Sequence, residues 1–157
     1  MCFNLTETRV EQFFNAAATY AARCTKRRGV KLSLVYEPTE TCVKVDPELV
    51  AYLFEVLVDA ALKEEKDGTL LLRATDTGDV VRIELVDNRR TLPSDEIVEL
   101  FTPSRYNIGA RNGLCGMEYL VAKEIVRMHE DYTGRHGSRV EARSDVEGLV
   151  ILFTLPK

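Results

Sequence analysis

The spacing of apolar residues near the start of the chain predicts an amphipathic helix. Apolar side chains recur every three or four positions between residues 10 and 24, which places them on one face of a 3.6-residue repeat. Thr8 and Glu11 fit a capping box at the start of this segment, and Gly29 stands where a helix C-cap is expected. We therefore expect a first helix that ends just before Gly29.

A second helix is predicted after Asp46. Asp is favoured as an N-cap and Pro47 at the first helical position, and an apolar stripe follows as far as Ala60 before Asp67 and Gly68 close the segment. Elsewhere, alternating apolar and polar residues predict strands, and further apolar stripes predict helices. The predicted strands are 30–36, 41–45, 69–74, 80–86, 138–143 and 149–155, and the additional helices are 94–101 and 118–130.

The order of these elements indicates the fold class. Pairs of strands alternate with helices, a pattern that favours an α+β fold over a doubly wound parallel sheet. We predict a two-layer α/β sandwich with a mixed, mostly antiparallel sheet. The chain has 157 residues, which is enough for a self-sufficient hydrophobic core. We therefore expect one domain over residues 1–157.

The charge and the apolar runs exclude several classes of function. The chain carries 25 acidic and 21 basic residues, a net charge of −4 at pH 7, which argues against a dedicated nucleic-acid binder. Its longest apolar runs, such as residues 149–153, fall far short of the ~20 residues that a membrane span needs. The first residues lack the basic-then-apolar order of a secretion signal. We expect a cytoplasmic domain without direct membrane insertion.

The cysteines do not indicate a metal site. Cys2, Cys24, Cys42 and Cys115 include no C-x-x-C pair, and the chain has only two histidines. Structural zinc sites usually draw their ligands from closely spaced pairs. We therefore expect reduced thiols that pack as small apolar groups.

Three segments carry recognisable motifs. Residues 56–63 read V-L-V-D-A-A-L-K, residues 85–93 read L-V-D-N-R-R-T-L-P, and residues 114–123 read L-C-G-M-E-Y-L-V-A-K. With the element order and His129 at a helix end, they resemble the ATP-binding domain of bacterial sensor histidine kinases, which share a superfamily with gyrase and MutL. The resemblance implies an α/β sandwich with ATP between the helical layer and a mobile lid. It also implies that this domain is a fragment of a longer sensor protein.

The resemblance assigns roles that the chain fills only in part. In the family, the carboxylate at the position of Asp87 accepts a hydrogen bond from the adenine amino group, although Asp-Asn is also ordinary turn chemistry. A helix-borne Asn helps to hold Mg²⁺, which needs oxygen ligands, and Ala60 stands at that position. Relatives that hydrolyse ATP place a Glu general base where this chain has Val56. Asp59 points about 100° away from Ala60 on a helix, so we expect a solvated residue there rather than a metal ligand.

The glycines of the family's loops are mostly substituted. Arg89 and Thr91 stand where glycines let the backbone approach the base, so we expect them to alter or fill this edge of the pocket. In the phosphate loop Gly116 remains in register and Gly113 lies nearby, but Glu118 sets a negative charge near the phosphates. Loop arginines are typically solvated, but those that could instead supply charge to a phosphate are Arg89, Arg90, Arg105 and Arg111.

These substitutions predict a degenerate ATPase-like domain of a two-component sensor, which acts as a regulatory or protein-interaction module and uses no metal or other cofactor. The alternative is a divergent but active kinase that binds ATP with Mg²⁺ and transfers phosphate to a His on a partner segment. A Ser-directed kinase of the anti-sigma type would need the same lost Mg²⁺ geometry. If ATP is bound, the residues expected to contact it are Asp87, Asn88, Lys63, Gly116 and Gly113.

The resemblance also implies partners. They are the dimerisation and phosphoacceptor helices of the full-length sensor and a response regulator, with no nucleic acid among them. A histidine kinase needs a phosphoacceptor, and neither His129 nor His136 lies on a helix of the dimerisation type. We expect His129 to be a capping or packing residue.

Overall fold

The computed structural model describes residues 4–36, 41–62, 68–89, 91–100, 118–134 and 139–157. The predicted strands and helices are present, with ends that differ from the predicted ones by up to three residues, and one further strand precedes them. None of the described helices is long and apolar enough to cross a bilayer. The strands are β1 Thr6–Arg9, β2 Lys31–Tyr36, β3 Cys42–Val45, β4 Thr69–Asp76, β5 Val80–Asp87, β6 Arg139–Asp145 and β7 Gly148–Pro156, and the helices are α1 Val10–Arg28, α2 Pro47–Leu62, α3 Ser94–Leu100 and α4 Glu118–Thr133.

The main sheet has five strands in the order β2-β4-β5-β7-β6. β2 pairs with β4 in parallel, whereas the β4-β5, β5-β7 and β6-β7 pairs are antiparallel. β1 and β3 form a separate antiparallel ribbon. The predicted α+β class with a mixed, mostly antiparallel sheet is therefore confirmed.

The hydrophobic core lies between one face of the main sheet and the helices α1, α2 and α4. Phe54 of α2 connects the layers, because its ring centroid lies 6.4 Å from that of Phe13 in α1 and 5.3 Å from that of Phe153 in β7. All three rings are at most 2% exposed. Aromatic pairs at such separations add about 1 kcal/mol beyond their buried area, so this cluster fixes α2 against β7.

The predicted N-cap of α2 is confirmed. The Oδ1 atom of Asp46 accepts hydrogen bonds from the backbone N–H groups of Glu48 at 3.1 Å and Leu49 at 3.2 Å. These two donors belong to the first helical turn, where no helical carbonyl is available to them. The Oδ2 atom accepts a third bond from the N–H of Asn4 at 2.8 Å, so one carboxylate fixes both the helix start and the incoming chain.

The predicted capping box of α1 is wrong. Thr8 lies in β1, opposite Val43 of β3, and its hydroxyl donates to the carbonyl of Thr6 at 3.1 Å. The N-cap position is occupied by Arg9, which makes no side-chain cap bond. Pairing with β3 has therefore overridden the local capping preference of Thr8. The other end of the helix is as predicted, with Gly29 as its left-handed C-cap.

Charged side chains cover the face of the sheet that points away from the helices. Leu152 lies directly opposite Glu84 on that face, yet only 4% of it is exposed. Glu84 accepts hydrogen bonds from Nε and Nη2 of Arg73, each at 3.0 Å, and from Arg143 at 3.2 Å. Burial acts to raise the pKa of Glu84, but the hydrogen bonds and charge of Arg73, together with the charges of Arg82 and Arg143, outweigh it and lower the pKa.

Candidate functional site

Two predicted nucleotide contacts meet at the end of β5. Asp87 is the last residue of the strand, and its side chain is 4% exposed. Asn88 follows it in an exposed position, where its side-chain oxygen accepts the N–H of Thr69 at 2.8 Å. The predicted residues that lie outside the described ranges are Lys63, Gly113, Gly116, Arg90, Arg105 and Arg111. The nucleotide-binding roles of Asp87 and Asn88 stay predictions.

Both carboxylate oxygens of Asp87 are engaged by an arginine. Nε of Arg89 donates to Oδ1 at 2.8 Å, and Nη2 donates to Oδ2 at 3.1 Å. The backbone N–H of Arg89 adds a third bond to Oδ1 at 3.1 Å. Only 1% of the Arg89 side chain is exposed, so the expectation of a solvated loop arginine is wrong at this position. A bidentate pair of this kind is among the stronger hydrogen-bonded arrangements in proteins.

A helix end supplies a further acceptor for the same guanidinium. Nη2 of Arg89 donates to the carbonyl oxygen of Ala61 at 2.6 Å. Ala61 lies in the last turn of α2, where carbonyls lack helical partners and carry the negative end of the helix dipole. The cation is therefore held between a carboxylate and a helix C-terminus, both of which favour positive charge.

The absence of a side chain at Gly68 leaves space for the side chain of Arg89. A Cβ atom at position 68 would lie 2.3 Å from Cγ of Arg89 and 2.8 Å from Oδ1 of Asn88, and the φ of Gly68 is +151°. Real Cβ atoms essentially never approach so closely, so only hydrogen fits there. The sequence indicated Gly68 merely as the end of a helical segment. No local pattern links it to Arg89, because the two meet only through the pairing of β4 with β5.

The α2 face that carries metal ligands in the resembled family is apolar here. Ala60 is 2% and Val56 is 8% exposed, so both belong to the interior of the helical layer. Asp59 instead points outward and accepts the hydroxyl of Tyr20 at 2.6 Å, a bond that raises the pKa of Tyr20. Among the residues that the structure describes, no group of three or more His, Cys, Asp or Glu side chains is arranged to hold a metal ion.

His129 is a buried packing residue. It is 1% exposed, and its Nε2 accepts the backbone N–H of Asp46 at 3.0 Å. Its Nδ1 lies 2.8 Å from the carbonyl oxygen of Ile125, so Nδ1 carries the proton of the neutral ring. Burial lowers the pKa of His129 more than the Ile125 bond and the Asp46 charge raise it. The geometry agrees with the packing role expected from the sequence.

The comparisons with known proteins agree with the fold. The family described as "Histidine kinase-, DNA gyrase B-, and HSP90-like ATPase" matches residues 45–157, a range that includes α2, Asp87 and Arg89. Comparison with curated proteins gives no match.

Solved structures of histidine kinases are similar over nearly the whole chain. The catalytic domain of histidine kinase ThkA in a nucleotide-free form superposes with a TM-score of 0.80 at 16% identity, covering 98% of this chain and 97% of that one. ThkA in complex with the response regulator protein TrrA gives 0.76 at 15% identity, covering 99% and 42%. The mycobacterial sensor histidine kinase MprB gives 0.72 at 16% identity, covering 99% and 97%. At these identities the likeness establishes the fold.

Proposed function

Because this chain belongs to the histidine kinase-, DNA gyrase B- and HSP90-like ATPases, we propose that it serves two-component signal transduction as a pseudokinase domain. In this role it is a regulatory or protein-interaction module that works without ATP. The observation that carries the proposal is the pairing of both Asp87 oxygens with the buried guanidinium of Arg89. In the resembled family this carboxylate reads adenine, and here a side chain of the protein itself engages it.

Among the residues that the structure describes, those at the adenine and metal positions do not fit ATP with Mg²⁺. An adenine amino group at Asp87 would have to displace a guanidinium that makes bonds to the carboxylate and to the Ala61 carbonyl. Replacing this charge-assisted, bidentate pair with one neutral hydrogen bond exchanges a strong buried contact for a weaker one, which is unfavourable. The metal position fails as well, because the methyl group of Ala60 offers no ligand to a cation that needs oxygen.

The proposed partners follow from the family. The solved complex of ThkA with the response regulator TrrA supports the proposal that a response regulator contacts this domain. The second proposed partner is the dimerisation and phosphoacceptor segment of the chain's own full-length sensor, in the cytoplasm. In this proposal the domain contributes shape and contacts to signalling rather than phosphoryl transfer.

Nucleotide titration tests the proposal directly. The unfolding temperature Tm is measured with ATP and Mg²⁺ up to ~5 mM. A ligand with a dissociation constant of about 1 mM would add about 1 kcal/mol of stability, or about 2–4 °C in Tm. We expect no rise, and calorimetry should detect no saturable heat of binding.

A saturable rise would overturn the proposal and favour the alternative of a divergent, active kinase. In that case Asp87→Ala should abolish the rise, whereas Asp59→Ala, which removes a carboxylate on the surface of α2, should leave it intact. Transfer of radiolabelled phosphate to a His-containing partner segment would then establish the activity.

A further inference from the structure

We infer that the corner formed by Asp87, the Ala61 carbonyl and Gly68 is a guanidinium-binding pocket whose resident ligand is Arg89. The inference rests on the proposed function and names the ligand class of the same site. When Arg89 is shortened, the pocket takes a free planar cation, a guanidine or an amidine, in preference to a neutral aminopurine.

The hydrogen-bond acceptors of the pocket favour a ligand that carries hydrogen-bond donors and no acceptor. The guanidinium contacts Oδ1 and Oδ2 of Asp87 and the carbonyl oxygen of Ala61. Guanidinium has five N–H donors in an arginine side chain and no acceptor. An aminopurine presents its amino donor beside a ring nitrogen that accepts, and that nitrogen would face an oxygen lone pair here. The hydrogen-bond pattern therefore favours the cation.

Charge favours the same ligand. The carboxylate of Asp87 is 4% exposed, and the Ala61 oxygen is at the negative end of α2. A cation replaces the positive charge that Arg89 places beside the buried carboxylate, whereas a neutral base does not. The selectivity is thus electrostatic as well as geometric.

The shape of the pocket follows the arginine stem. Cγ of Arg89 lies where a Cβ of residue 68 would be only 2.3 Å away, so the glycine leaves a slot of the width of a methylene chain. The backbone N–H of Arg89 holds Oδ1 of Asp87 at 3.1 Å, and this bond does not depend on the side chain. The carboxylate is therefore expected to keep its orientation when the side chain is removed.

Chemical rescue of Arg89→Ala tests the pocket. Loss of the guanidinium removes the bidentate partner of a buried carboxylate, and we expect Tm to fall by about 10 °C. Methylguanidine at ~20 mM should then restore about 5 °C if it binds with a dissociation constant near 1 mM. Methylurea, which has nearly the same shape without the charge, and adenine are titrated in parallel.

Three matched controls, the wild type and two variants, locate the effect. The wild type should not respond to methylguanidine, because Arg89 fills the pocket. The double variant Asp87→Asn with Arg89→Ala should not respond, because the counter-charge is gone. Arg82→Ala removes an arginine of β5 whose side chain is 41% exposed, and this variant should also remain unresponsive.

The outcomes separate this inference from the proposed function. The guanidinium pocket is overturned if methylguanidine does not raise the Tm of Arg89→Ala, or if methylurea or adenine raises it equally. The ATP titration of the wild type decides the proposed function independently. If Arg89→Ala does not fold, it is refolded from urea with each compound. A higher yield of folded protein with methylguanidine alone supports the pocket, and equal yields overturn it.

Discussion

Replacement of Gly68 by Ala should expel Arg89 from its pocket. The new Cβ would lie 2.3 Å from Cγ of Arg89 and 3.1 Å from its Cδ. These atoms are the base of the side chain, so a rotation at its tip does not relieve the overlap. The arginine must leave, and Asp87 then loses a partner in a site where 4% of its side chain is exposed.

The magnitude follows from two contributions. A non-glycine residue at φ +151° costs about 1–3 kcal/mol in backbone strain. Loss of one partner of a buried ion pair costs about 3–5 kcal/mol. Arg89→Ala loses the same pair without the strain. Because the two substitutions remove one interaction, the double variant should be about 3–5 kcal/mol more stable than the sum of the single effects predicts.

Urea unfolding of the four proteins in this double-mutant cycle measures the coupling. Gly78→Ala is the matched control, because Gly78 has a φ of +102° and nothing lies within 4 Å of an added Cβ. Its strain should add to the effect of Arg89→Ala with no coupling. The reasoning is refuted if Gly68→Ala and Arg89→Ala are additive, or if Gly78→Ala couples to Arg89→Ala as strongly.

Two further predictions concern pH. Hydrogen bonds from Thr41, Lys157 and the N–H of Gly78 lower the pKa of Asp76 from 3.8 to about 2. Asp76→Asn should therefore cost about 1 kcal/mol at pH 7 after allowance for solvent screening. That difference from the wild type, measured by urea unfolding, should vanish as the pH falls from about 4 to 2, and a difference that persisted at pH 2 would contradict the prediction. Burial lowers the pKa of His129, so the unfolded state binds the proton more readily and the wild type should lose stability as the pH falls below about 6.5. In His129→Gln, the urea midpoint should depend less on pH between pH 7.5 and 5 than in the wild type. An unchanged pH dependence would contradict the buried neutral ring.

Features set by neighbouring residues could be predicted from the sequence. Asp46 caps α2 because its carboxylate reaches the N–H groups of the next turn, and Gly29 caps α1 for a similarly local reason. The order of helices and paired strands was enough for the fold class. In each case the decisive contacts lie within a few residues of one another or follow from the apolar period.

Features that depend on contacts between residues far apart in the sequence could not be predicted from local sequence patterns. β1 was not predicted, because its four residues gain their hydrogen bonds from β3, and that pairing took Thr8 away from the helix cap. At the candidate site, the sequence indicated that Arg89 would alter an edge of the pocket. Its burial required the end of α2 and the start of β4 to be brought together around it.

The fit between Gly68 and Arg89 also constrains the order in which this corner can have evolved. A side chain at position 68 larger than hydrogen overlaps the arginine stem, whereas a glycine at position 68 is compatible with a short residue at position 89. The unstrained route therefore places glycine at position 68 before arginine at position 89. Once both are present, a substitution at position 68 breaks a buried ion pair. Gly68 is therefore constrained by the Asp87–Arg89 pair although it contacts neither charged group.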